Sequence, residues 1–150
     1  MAESAKHTRF HIEFESNACA VRDALGQILK GLRPLALDPE ELGTVEIVMA
    51  ETLNNVVEHA YPEGDPPGRV EIECVHRATG LHFRIIDEGR PMPQGRMPIG
   101  EAACVDVAFD EMPEGGFGWF LIRNLAREVQ YERFGRTNVL DVRLAVAKAA

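Results

Sequence analysis

The sequence predicts an α+β two-layer sandwich, a mixed and mainly antiparallel sheet with helices on one face. Two amphipathic helices follow a first strand, the strands that come later fall into two hairpins, and a long glycine- and proline-rich stretch separates them. At 150 residues and 16.6 kDa the chain fits a single domain over 1–150 with room for a substantial core. Hydrophobic residues make up 45% and charged residues 27%, a globular balance that argues against disorder. No apolar run approaches the roughly 20 residues that cross a bilayer.

Each element has its own signal. Thr8-Arg9-Phe10-His11-Ile12-Glu13-Phe14 alternates polar and apolar residues, which puts Phe10, Ile12 and Phe14 on one face of a strand. Ser16 is the expected cap of a helix over residues 17–32, with Val21, Leu25, Ile28, Leu29 and Leu32 at helical spacing and Pro34 beyond its end. Asp38-Pro39-Glu40-Glu41 carries an acidic cap, a proline at the first helical position and a glutamate three residues after the cap, so a long helix should run to about Ala60. Its core side is Val45, Val48, Met49, Thr52, Leu53 and Val56.

The turn formers of residues 61–68 end that helix. Strand-like runs over 69–77 and 81–87 then flank Ala78-Thr79-Gly80 as a hairpin. Residues 88–118 hold six glycines and four prolines around one apolar patch at 102–109, the composition of a lid or binding loop. A helix is expected over 119–128 with Phe120, Leu121 and Leu125 inward and Ile122 as a further candidate, followed by a hairpin of 129–134 and 137–146 around Gly135-Arg136.

Charge and cysteine content narrow the function. Sixteen basic against 24 acidic residues give a net charge of −8 and a pI near 5.1, the wrong sign for general affinity to nucleic acid or anionic membranes. Cys19, Cys74 and Cys104 are widely spaced with no CxxC pair, and no signal peptide is evident, so reduced thiols in a cytoplasmic protein are expected. His7, His11, His76 and His82 lack cysteines or paired acids at ligand spacing and read as surface or sheet residues.

Three segments carry chemistry. Glu51, Asn55 and His59 stand at spacings of four on the long helix, and at about 100° per residue they form one stripe beside the core face. A carboxylate can polarise a hydroxyl or water, while a neutral amide oxygen can ligate a hard cation; a solvated helix flank also carries such residues. Asp87-Glu88-Gly89 ends a buried strand, where an aspartate can accept from an exocyclic amine and a glycine lets backbone approach a flat ring; a plain turn has the same composition. Gly115, Gly116, Phe117, Gly118 and Trp119 stand at a helix start, where backbone N–H groups and the helix dipole can cradle phosphate. No lysine follows the last glycine, and the segment does not follow a strand as GxGxxG does, so neither common phosphate-loop pattern applies.

In this order the three segments resemble the nucleotide-binding boxes of the GHKL (Bergerat-fold) ATPases. The runs Glu51-Thr52-Leu53-Asn54-Asn55-Val56-Val57-Glu58-His59-Ala60-Tyr61, Gly116-Phe117-Gly118-Trp119-Phe120-Leu121-Ile122-Arg123 and Arg136-Thr137-Asn138-Val139-Leu140 are similar to those of the small anti-sigma factor serine/threonine kinases. The resemblance covers nearly the whole chain. It implies that Glu51 is the catalytic glutamate and that Asn55 holds magnesium against the phosphates of ATP. It further implies that His59 lines the site, Asp87 binds the adenine amine, Gly89 lies beneath the base and Thr137 lies near it. Gly115, Gly116, Phe117, Gly118 and Trp119 are the implied lid contacts, within a lid over about 90–118.

The same resemblance implies the activity and partners. The chain would phosphorylate a STAS-domain anti-sigma factor antagonist, sequester a sigma factor or similar regulator, and form a homodimer. Glu114 stands where some relatives place a basic residue before the lid glycines, with Glu111 close by and Arg90 and Arg96 the nearest loop cations. That departure keeps a second reading open, a nucleotide-responsive binding module with little or no kinase activity.

Overall fold

A computed structural model describes residues 8–92, 122 and 124–146. Strand β1 (Arg9–Glu15) leads into helix α1 (Ala18–Gly31), a 3-10 turn (Arg33–Leu35) and helix α2 (Pro39–Ala60). Strands β2 (Arg69–Arg77) and β3 (Gly80–Asp87) form one hairpin, and β4 (Glu128–Phe134) and β5 (Thr137–Leu144) another. The five strands join in the order β1-β2-β3-β5-β4, and every pairing is antiparallel, so the mixed sheet expected from the sequence is wholly antiparallel among the described residues.

Strand alternation sorts the sheet into two faces. Ile12, Phe14, Val70, Ile72, Cys74, Leu81, Phe83, Ile85, Leu140, Val142 and Leu144 are buried on the inner face. They share one core with Val21, Ala24 and Ile28 of α1 and Val45, Val48, Met49, Leu53 and Val56 of α2. Burying such side chains contributes about 1.5–3 kcal/mol each before the entropy of ordering is set against it. The other face is charged and laced by cross-strand pairs, with Arg84 Nε 2.8 Å from Asp141 and Arg143 Nε 2.8 Å from Glu128. There His11, Glu13 and Glu71 also meet, the His11 Nε2 lying 3.1 Å from Glu71.

Helix α2 is fixed at its start as its sequence requires. The Asp38 carboxylate accepts from Glu41 N at 2.8 Å while the Glu41 carboxylate accepts from Asp38 N at 3.3 Å, a reciprocal capping box with proline in the first turn. Helix α1 differs from expectation, because Asn17 rather than Ser16 caps it, its Oδ1 accepting from Ala20 N at 2.8 Å. Ser16 is occupied elsewhere: its N–H donates to Gly68 O at 2.9 Å and its Oγ accepts from Gly68 N at 3.0 Å, tying the end of β1 to the start of β2.

The segment before β4 also departs from expectation. Ile122, Asn124 and Leu125 are helical, and Ala126 N donates to Ile122 O at 2.8 Å. Glu128 already belongs to β4, so the helix stops short of the predicted end. Ile122, the further candidate, is fully buried, whereas Leu125, expected inward, is 38% exposed; Phe120 and Leu121 lie outside the described residues. The final strand ends at Leu144 rather than 146. The remainder of the expected lid and helix lies outside the described residues.

No helix among the described residues is long and apolar enough to cross a membrane. Cys19 and Cys74 are free; Cys19 is exposed, and burial in the sheet core pushes the Cys74 thiol up to about 12. The thiolate is the reactive form. In the native protein at pH 8 an aromatic disulfide reagent should therefore label Cys19 and leave Cys74 untouched until denaturant is added, as read by peptide mapping.

Candidate functional site

The candidate site forms where the last turns of α2 meet the loop that leaves β3. Glu51, Asn55 and His59 occupy one stripe of α2, with Glu51 and His59 half-buried and Asn55 2% exposed. Asn55 Nδ2 donates to the Glu51 carbonyl at 2.7 Å, one turn back along the helix. That bond fixes the amide so that its oxygen turns away from the helix backbone. Among the described residues the buried Asn55 Oδ1 is left without a hydrogen-bond partner, as is Thr52 Oγ1 on the adjoining position of the helix. An unpaired buried acceptor costs about 1–3 kcal/mol, so an oriented amide oxygen with no donor among the described residues suits a cation or water. The residues present thus fit a hard divalent ion at Asn55, with neutral oxygen as donor.

Asp87 is the last residue of β3 and shares the inner face with Leu81, Phe83 and Ile85, which is why it is only 6% exposed. Its Oδ1 accepts from Gly89 N at 2.9 Å and from Asn138 Nδ2 at 2.7 Å. Neither bond uses Oδ2. Burial pushes the Asp87 carboxyl above the ordinary aspartate range, while the Asn138 and Gly89 N–H groups and then the Arg133 guanidinium pull it back down.

The loop after Asp87 is stitched to α2. Arg90 N donates to the Ala60 carbonyl at 2.8 Å, and Glu88 N donates to Tyr61 Oη at 3.1 Å, which itself donates to Arg69 O at 2.9 Å. A Cβ at Gly89 would stand 2.2 Å from Ala60 O and 2.7 Å from Ala60 Cβ, so glycine is required by helix contact. His59, the neighbour of Ala60, is thereby brought to the same end of the helix as Asp87 and Gly89.

Three residues at this site were not among the expected ones. Asn138 is 3% exposed, is the direct cross-strand partner of Asp87, and also donates from Nδ2 to Arg90 O at 3.0 Å. Its Oδ1 accepts from Tyr131 Oη at 2.6 Å and Arg133 Nη1 at 2.8 Å. Tyr131 Oη also accepts from Met92 N at 3.0 Å, and Arg133 Nη1 reaches Gly89 O at 3.1 Å. Thr137, the expected residue on this strand, alternates to the opposite face beside Phe134, so β5 brings Asn138 to Asp87 in its place. Of the loop cations, Arg90 is held by Asp65 through paired contacts of 2.7 and 2.8 Å, and Arg96 is outside the described residues. Gly115, Gly116, Phe117, Gly118 and Trp119, together with Glu111 and Glu114, lie outside them too.

A family model described as the histidine kinase-like ATPase domain matches residues 14–144. The chain belongs to the histidine kinase-like ATPase family. Membership makes it an ATPase-type nucleotide-binding domain, in accord with the GHKL resemblance read from the boxes. Among solved structures, the RsbU and RsbW domains of Rv1364c from Mycobacterium tuberculosis superpose with a TM-score of 0.62 at 15% identity. That match covers 92% of this chain and 32% of the other, and it shows the α+β fold to be shared. No curated protein matches the sequence.

Two outcomes test this geometry. Gly89→Ala should destabilise the fold by about 1–3 kcal/mol in urea titrations, because the new methyl must displace the end of α2. Asp87 holds its proton more tightly folded than unfolded, so between the ordinary aspartate pKa and its raised folded value the native state carries the extra proton. Its contribution therefore falls as pH rises through that window. Asp87→Asn should remove this fall from the pH dependence of unfolding free energy.

Proposed function

We propose that the chain binds ATP with magnesium and transfers the γ-phosphoryl group to a serine or threonine of a STAS-domain anti-sigma factor antagonist. The observation that carries the reading is the orphaned Asn55 oxygen on the same helical stripe as Glu51, in a family whose fold is built around ATP. Bound magnesium would neutralise phosphate charge, and Asn55 would supply one neutral oxygen to it. Glu51, half-buried and one turn before Asn55, would hold the acceptor hydroxyl and take up its proton. Asp87 would accept the adenine amine on Oδ2, since Oδ1 already takes two N–H donors. His59 would line the site, and Gly115, Gly116, Phe117, Gly118 and Trp119 would close on the phosphates. Rate would come from positioning and charge stabilisation, because phosphoryl transfer asks for little covalent chemistry from the protein.

The likeness to a chain that carries an RsbW domain supports a kinase-like role of this type. In this reading the protein acts in the cytoplasm as a homodimer that holds a sigma factor or similar regulator and exchanges it for the unphosphorylated antagonist. The test is transfer of label from γ-labelled ATP to a purified STAS-domain protein of the same genome, in wild type and Glu51→Ala. Transfer should fall by at least about a hundredfold in the variant, with ADP binding by calorimetry unchanged. Wild-type ADP binding without transfer to any such protein would favour the nucleotide-responsive binding module.

A further inference from the structure

Asn138 is the most heavily bonded polar side chain at the site, and the direction of its bonds is constrained. Arg133 can only donate, and its Nη1 lies 2.8 Å from Asn138 Oδ1. The Tyr131 hydroxyl donates to the same oxygen at 2.6 Å, its own lone pair being used by Met92 N at 3.0 Å. The amide cannot turn over without setting its NH2 group against a guanidinium. Its Nδ2 must therefore face Asp87 Oδ1, at 2.7 Å, with Arg90 O at 3.0 Å accepting as well.

We infer that Asn138 is a positioning and specificity-determining residue: by presenting N–H to one oxygen of Asp87 it keeps the aspartate an acceptor, selecting nucleobases with an exocyclic amine over those with a carbonyl. The inference rests on Asp87 being the base-binding residue of the proposed site. A protonated Asp87 could donate to a six-position carbonyl and would no longer reject it. Selectivity thus depends on the charge state of a buried carboxyl, which solvation does not supply. The groups that face it are Asn138 from β5, the Arg133 cation from β4, Glu88 and the Gly89 N–H from its own loop, and Tyr61 beyond the end of α2. Of these, Glu88 works against the charged form, and Asn138, Gly89 and Arg133 work for it. Asn138 also receives Arg133 on its far oxygen, so the cation's influence is relayed through a fixed amide dipole.

The test measures ADP and IDP binding with magnesium by calorimetry from pH 5 to 8, in wild type, Asn138→Asp, Asn138→Thr and Arg133→Met. IDP differs from ADP in carrying a carbonyl where adenine has its amine. In Asn138→Asp a second carboxyl faces Asp87, and like charges in contact hold a shared proton. Affinity for ADP should then decline from a higher pH than in wild type, by roughly tenfold or more at pH 7, and the ADP-to-IDP ratio should fall with it. Asn138→Thr retains a donor and should restore most of both. Arg133→Met, on the half-exposed edge strand β4, should move the profile in the same direction as Asn138→Asp. The carbon-13 shift of the Asp87 carboxyl, followed without nucleotide, should report the same order among the variants. Wild-type profiles and ratios in Asn138→Asp and Arg133→Met, with ADP still bound, would overturn the inference and leave the nucleotide reading standing. Wild-type protein that binds neither nucleotide would sink that reading, and the inference with it.

Discussion

The buried contact between Asp87 and Asn138 is the constraint around which this end of the molecule is arranged. A carboxylate on the inner face of a sheet is expensive unless its oxygens are paired. The ladder register places Asn138 opposite it, and the amide then gathers Tyr131, Arg133 and the carbonyl of Arg90. Through those bonds the loop leaving β3 is fastened to β4 and β5, while Arg90 N and Glu88 N fasten it to the end of α2. One aspartate held in place therefore sets the position of a loop, a helix end and two strands. This end of the site is cross-braced for that reason.

The opposite end of the helical stripe is organised by a deficit. Asn55 bonds backward to Glu51 O and, among the described residues, leaves a buried oxygen unmatched, and Thr52 adds a second such atom nearby. A domain selected for stability alone would have filled such positions with apolar side chains, as it does at Leu53 and Val56 on the same helix. Local rules of packing are broken at the positions that the chemistry would use, which is where such breaks are expected.

Most of the architecture was legible because it follows from period and punctuation. The alternation of β1, the capping box of α2 and the hairpin around Ala78-Thr79 each have local causes, and the elements lie where those causes place them. Glu51, Asn55 and His59 could be grouped from helical spacing, and Asp87 from its place at a strand end. Asn138 was missed because the family pattern drew attention to Thr137. A physical signal was present: Asn138 has the same parity as Leu140, Val142 and Leu144, a polar residue on an apolar face, as Asp87 has with Phe83 and Ile85. Pairing two such exceptions on neighbouring strands would have found the contact. Gly89 is required by its contact with Ala60 as well, and only long-range packing reveals that. Ser16 and Asn17 are both good caps, and which one serves was decided by Gly68, more than fifty residues away.

The Gly89–Ala60 contact has a further meaning for how the chain can vary. With the Ala60 carbonyl 2.2 Å and its methyl 2.7 Å from where a Gly89 side chain would begin, positions 60 and 89 together have space for a single methyl group. The two sites behave as one occupancy shared between distant stretches of sequence. Exchanging the residues, glycine at 60 and alanine at 89, would still leave the carbonyl in the way, so the allowance is not transferable. A designer enlarging this protein, or evolution drifting through it, meets a directional lock here: size can be held on the helix, and never on the loop.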